Sequence, residues 1–83
     1  MKLSIRNFRF TVSVDDLRAL FAQFGVVSEC YIILEKETGL SRGFGFVQME
    51  DPQDAQRAID YLDGYTWHGR TINVSEANPR QAA

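Results

Sequence analysis

Arg42-Gly43-Phe44-Gly45-Phe46-Val47-Gln48-Met49 is the stretch on which the reading of this chain turns. Alternation along a strand sends Val47 and Met49 to one face and Arg42, Phe44, Phe46 and Gln48 to the other. Val47 and Met49 suit a core. Two phenylalanines side by side on the opposite face are costly in water unless something covers them. Gly43 and Gly45 leave no side chain to crowd the rings and allow close backbone approach. Flat rings beside a guanidinium have the chemistry to take an unstacked base on the ring and a phosphate on the arginine.

The segments on either side supply the rest of a small domain. Before the octapeptide, Lys2-Leu3-Ser4-Ile5-Arg6-Asn7 alternates apolar and polar, a strand with Leu3 and Ile5 inward. Ser13 with Asp16 three residues on is a capping-box start. Val14, Leu17, Leu20, Phe21 and Phe24 follow at helical spacing, and Gly25 stands where a left-handed cap belongs. Residues 26–35 are β-branched and aromatic, a second strand with Cys30 in the core, and a polar turn follows. After the octapeptide, Asp51-Pro52 opens a helix striped with Ala55, Ala58, Ile59 and Leu62, which Asp63-Gly64 stops. Trp67 fills the core, His68 is a turn residue, and residues 70–76 form the last strand with Ile72 and Val74 inward. Two amphipathic helices bury their stripes most economically on one face of a four-stranded antiparallel sheet. The fold class is thus α+β, a ferredoxin-like βαββαβ, with the other sheet face open.

Composition bounds what such a chain can do. Its 83 residues hold one domain, expected over residues 1–77 with a short frayed tail at 78–83. Apolar residues make up 45%, enough for a single core and too many for a disordered chain. No apolar run approaches the roughly 20 residues of a membrane span, and no leader precedes the first strand. A lone cysteine (Cys30) and a lone histidine (His68) cannot build a disulfide, a structural zinc site or a catalytic pair. The reading is a cytoplasmic, monomeric binding module, with no enzymatic activity, cofactor or metal.

The octapeptide closely resembles a signature of the RNA-recognition motif family: basic, Gly, aromatic, small, aromatic, aliphatic, any, aromatic. Leu3-Ser4-Ile5-Arg6-Asn7-Phe8 falls where that family keeps its second motif. The likeness runs over residues 2–77 and takes in residues 16–21 with Phe24-Gly25, Thr38-Gly39 and Gly69-Arg70. Standalone bacterial members are the most similar. Cold-shock domains carry a similar strand on an all-β barrel, but the two capped helices here decide against that barrel.

The resemblance implies a single-stranded RNA-binding protein, with single-stranded DNA a possible second ligand. Phe44 and Phe46 would stack bases, Arg42 and Arg6 would meet phosphates or sugars, and Gln48, Asn73 and Ser75 would offer hydrogen bonds to base edges. Tyr31 has two readings, a stacking ring or a shield over Phe44 and Phe46. Arg6, where the family often has a small residue, could instead pair with an acid. Ser4 replaces a stacking aromatic, which leaves a gap where a ring would project into solvent. Leu40 replaces a frequent basic residue, and Met49 an aromatic.

The net charge is −2, but all six Asp fall in the helices or their caps, away from the open face. Weak, sequence-lenient RNA binding is the expectation. The alternative is a protein-interaction module on the same fold, motivated by Ser4, the low charge and apolar Ile33.

Overall fold

Ser13 begins the first helix by hydrogen bonds in both directions. Its Oγ accepts from the Asp16 N–H at 3.1 Å, and its own N–H donates to the Asp16 carboxylate at 3.1 Å. The Ser13 N–H, and after it the Ser13 hydroxyl, holds the pKa of the Asp16 carboxyl below its ordinary value. The computed structural model describes residues 1–34, 37–39 and 41–77, and of residues 41 and 42 the backbone alone. Its elements run β1 (Lys2–Arg6), α1 (Val14–Ala22), β2 (Val27–Leu34), β3 (Ser41–Met49), α2 (Pro52–Leu62), β4 (Thr66–Trp67), β5 (Arg70–Thr71) and β6 (Asn73–Glu76). The expected tail at 78–83 lies outside the described residues.

The main sheet is antiparallel in the order β2-β3-β1-β6. In the centre, Leu3 pairs with Val47, Ser4 with Phe46, Ile5 with Gly45 and Arg6 with Phe44. Residues directly opposite share a face, so this register puts Leu3, Ile5 and Val47 on one side and Ser4, Arg6, Phe44 and Phe46 on the other. Both helices lie on the first side. From α1 come Leu17 and Phe21, from α2 Ala55, Ala58 and Leu62, all buried with Met49, Ile72 and Val74 in one core. Asp51 caps α2 by accepting from the Gln53 N–H at 2.8 Å, ahead of Pro52 in the first turn.

Four local expectations give way to the structure. Gly25 is not a left-handed cap: α1 ends on Gln23 in right-handed geometry. Glycine is needed at position 25 because a Cβ would come within 2.3 Å of the Asp54 carboxylate. Strict alternation fails in β2, whose pairing with β3 shifts between Val27 and Glu29 and again between Ile32 and Leu34. Bulges of this kind turn residues off the regular face. Cys30, opposite Val47 on this edge strand, packs against the core but is only half-buried, its Sγ–H donating to the Val14 carbonyl at 3.6 Å, and partial burial pushes the thiol pKa up.

The last strand is also interrupted. Residues 70–71 pair with Thr66–Trp67 in a hairpin whose turn, His68-Gly69, has φ of 52° and 81°. Ile72 then drops into the core, and only Asn73–Glu76 joins the main sheet. Trp67 is half-buried rather than central, edge-on to Phe8 at 6.5 Å between centroids.

Gly45 shows how tightly the covered face is built. A Cβ there would lie 2.7 Å from the Tyr31 carbonyl oxygen and 3.3 Å from Leu17 Cδ2. Glycine admits α1 and β2 to the third strand, on the face away from the rings. Gly45→Ala should keep the fold but lose about 1–3 kcal/mol of stability in urea denaturation, the usual range for overpacking. A loss within error would mean that the sheet yields freely at this point.

Candidate functional site

On the uncovered face the parity of β3 and β2 brings three rings into contact. Phe44 and Phe46 meet edge-on at 4.8 Å, and Tyr31, directly opposite Phe46 across the β2–β3 ladder, stands 5.3 Å from it. The two phenylalanines are half-exposed, and Tyr31 is 38% exposed. Tyr31 thus extends the strip sideways. It touches Phe46 at a tilt without lying across it.

Strand β1 lays cations over this strip. The Lys2 ammonium is 4.6 Å from the Phe46 centroid and 5.3 Å from that of Tyr31. The Arg6 guanidinium is 5.2 Å from the Phe44 centroid. A positive charge over a ring face is attracted by the ring quadrupole. Arg6 thus has a ring seat, and no described acid forms an ion pair with it. The Arg42 side chain lies outside the described residues. Gln48 sits on the same face opposite Lys2 and next to Glu29, while Asn73 and Ser75 are exposed opposite Arg6 and Ser4.

Ser4 departs from its expected setting. It is on the open face as alternation requires, but only 7% exposed. Its flanking same-face neighbours on β1, Lys2 and Arg6, lean toward the rings, and Phe46 and Ser75 close it in from either side. A ring at this position would have to displace them instead of projecting freely. Lys2 itself was absent from the residues singled out by sequence. The same alternation that places Ser4 and Arg6 outward reaches it two residues earlier.

At one end of the strip the face falls into a groove of about 470 Å³ lined by Arg6, Asn7, Gly43 and Phe44. Two left-handed residues shape it. Gly43 has φ 71°, and a Cβ there would sit 2.6 Å from the Phe8 carbonyl oxygen. Asn7 has φ 66° and is held by the start of β5. Arg70 donates from Nε to the Asn7 carbonyl at 3.2 Å and from Nη2 to Asn7 Oδ1 at 2.7 Å, and Asn7 Nδ2 donates to the Thr71 carbonyl at 2.8 Å. Both ends of the Arg70 guanidinium are committed to this lock.

Charge is divided between the faces. The six Asp lie on the helices and their caps, where Asp16 and Asp51 cap and Asp54 pairs with Arg57. Among the described residues, no three His, Cys, Asp or Glu gather to hold a metal, and no helix is long and apolar enough to cross a membrane.

Comparison with known proteins agrees with the fold. The family model described as RNA recognition motif matches residues 3–73. The chain is 40% identical to RbpE of Nostoc sp., covering 98% of this chain and 82% of that one. It is 43% identical to glycine-rich RNA-binding protein 3, mitochondrial, of Arabidopsis thaliana, over 95% of this chain and 26% of the plant protein. Among solved structures, RNA binding protein PG1 superposes with a TM-score of 0.90 at 44% identity, over 93% of each chain. A Sex-lethal protein–RNA complex gives 0.88 at 33% identity, over 94% of this chain and 47% of that one.

The lock at Asn7 can be tested by stability. Asn7→Ala should lose about 1–2 kcal/mol for the left-handed backbone, and about 1 kcal/mol more for the side-chain hydrogen bonds. Asn7→Gly should recover the first part and not the second. Equal losses in urea denaturation would show that the turn carries no conformational strain.

Proposed function

The chain belongs to the RNA recognition motif family, and on that premise we propose that it binds single-stranded RNA on its open sheet face, weakly and with little sequence preference. The observation that carries this reading is the contiguous strip of Tyr31, Phe46 and Phe44, accessible on a sheet face that neither described helix covers. Every base has a π-face, so rings accept bases without reading them. Phe44 and Phe46 stack bases, with Tyr31 extending the platform. Arg6 and Arg42 meet phosphates or sugars. Gln48, Asn73 and Ser75 offer hydrogen bonds to base edges, too few to specify a long sequence. Ser4 contributes no platform. The binding unit is residues 1–77, working as a cytoplasmic monomer without catalysis, and single-stranded DNA competes where the 2′-hydroxyl is not read.

Phe44→Ala and Phe46→Ala should each stay folded and bind a short RNA several-fold or more weakly, since stacking contributes about 1–3 kcal/mol per base. The check is a paired affinity titration at fixed salt, with circular dichroism to confirm folding. Normal binding by both folded variants would move the RNA site off this face. Silence of the wild type at high RNA concentration would favour a protein partner instead.

The face offers few cations, so binding should depend only modestly on salt. Roughly 2–3 phosphate contacts at about −0.7 each give a log–log slope near −2 for a single strand. A slope several times steeper would require a basic surface that this sequence lacks, or multimeric binding.

A further inference from the structure

Ser4 is small where the family resemblance leads one to expect a ring, and the structure shows what uses the space. Directly opposite side chains in an antiparallel pair have Cβ atoms roughly 5 Å apart, so a ring at position 4 would stand against Phe46. With serine there, the arm of Lys2 is free to cross diagonally from its own partner, Gln48, and set its ammonium over Phe46 and Tyr31. Ser4 is left 7% exposed beneath this arrangement.

The ammonium is poorly satisfied where it rests. It carries three N–H donors, and no described residue gives it an ion pair or a hydrogen-bond acceptor. Glu29 is on the same face, opposite Gln48, but does not pair with it. Ring faces attract the charge without taking up its donors in the directional way an oxygen does. A nucleotide that lays its base on Phe46 brings oxygens that can. The base takes the ring face, and the flexible four-carbon stem lets the ammonium step to the adjoining phosphate.

We propose that Lys2 is a phosphate-binding residue of this face, seated in advance on Phe46 and Tyr31 because Ser4 leaves it room. This rests on the RNA-binding reading above and deepens it. The chain exchanges one stacking platform for one charge. Binding then gains a term that depends on salt and is indifferent to the base.

The experiment compares wild type, Lys2→Met, Lys2→Arg, Ser4→Tyr and Phe46→Ala by titrating a fluorescein-labelled hexauridylate across a salt series. Lys2→Met keeps the apolar arm and should flatten the log–log slope by about 0.7, which weakens binding roughly fivefold at about 0.1 M salt. Lys2→Arg should keep the wild-type slope, and Ser4→Tyr should flatten it without tightening binding at low salt. A Lys2→Met slope and affinity equal to wild type, with Phe46→Ala still weakened, would overturn the role of Lys2 and leave the RNA reading standing. Equal flattening by Lys2→Met and Lys2→Arg would also overturn it, because the position would then act through packing. So would a Ser4→Tyr variant that binds several-fold more tightly at an unchanged slope. No binding by the wild type would remove the RNA reading, and this inference with it.

Discussion

The register of β1 against β3 is the constraint from which the rest of the molecule follows. Ser4 stands opposite Phe46, so Leu3 and Ile5 must face the helices with Val47 while Lys2 and Arg6 face away with Phe44. A slip of one residue would put the two cations in the core and expose Leu3 and Ile5. That alternative is excluded by burial energy alone, since a fully buried Leu or Ile contributes about 1.5–3 kcal/mol relative to exposure. β1 also ladders with β6 on its other side, where Ser4 meets Ser75 and Ile5 meets Val74. The same register therefore fixes both the core and the composition of the open face.

Much of this was legible in the residues because it depends on period and capping. The octapeptide alternates cleanly, and the start of each helix is written in one short side chain, Ser13 or Asp51, which the structure shows capping the helix. What escaped depends on contacts between segments distant in sequence. Gly25 looks like a cap in isolation, but its need for glycine comes from Asp54 on the second helix. The shifts in β2 have no local signature, since the two sequences on either side of each shift both favour strand. The break at Ile72 follows from a hairpin turn at His68-Gly69, and a turn residue in the sequence does not say that the two residues after it pair back instead of joining the main sheet.

The open face was legible in its members and not in their mutual contacts. Alternation places Ser4, Arg6, Phe44 and Phe46 together, but it gives no length to a side chain. Lys2 and Arg6 reach sideways over rings on the neighbouring strand, and this makes a nominally outward serine nearly inaccessible. The lock between Asn7 and Arg70 joins residues 63 positions apart. An asparagine after a strand suggests a left-handed turn. Its partner is visible only in three dimensions.

An exposed strip of rings is normally an invitation to aggregate, and here charge offsets it. Cations over exposed rings contribute only about 0.5–1 kcal/mol each, enough to hold a charge above each phenylalanine. A stacked base contributes about 1–3 kcal/mol, so it can take the ring face from the cation. The displaced charge is not lost, because a base arrives attached to a phosphate. The helix side carries all six Asp, although Glu29 stands on the open face, so most of the charge that would repel a polyanion lies away from the rings. In the binding mode proposed above, rings that hold cations in the absence of ligand give them up to phosphate when a base arrives, so an acidic chain presents a site for RNA without a basic surface.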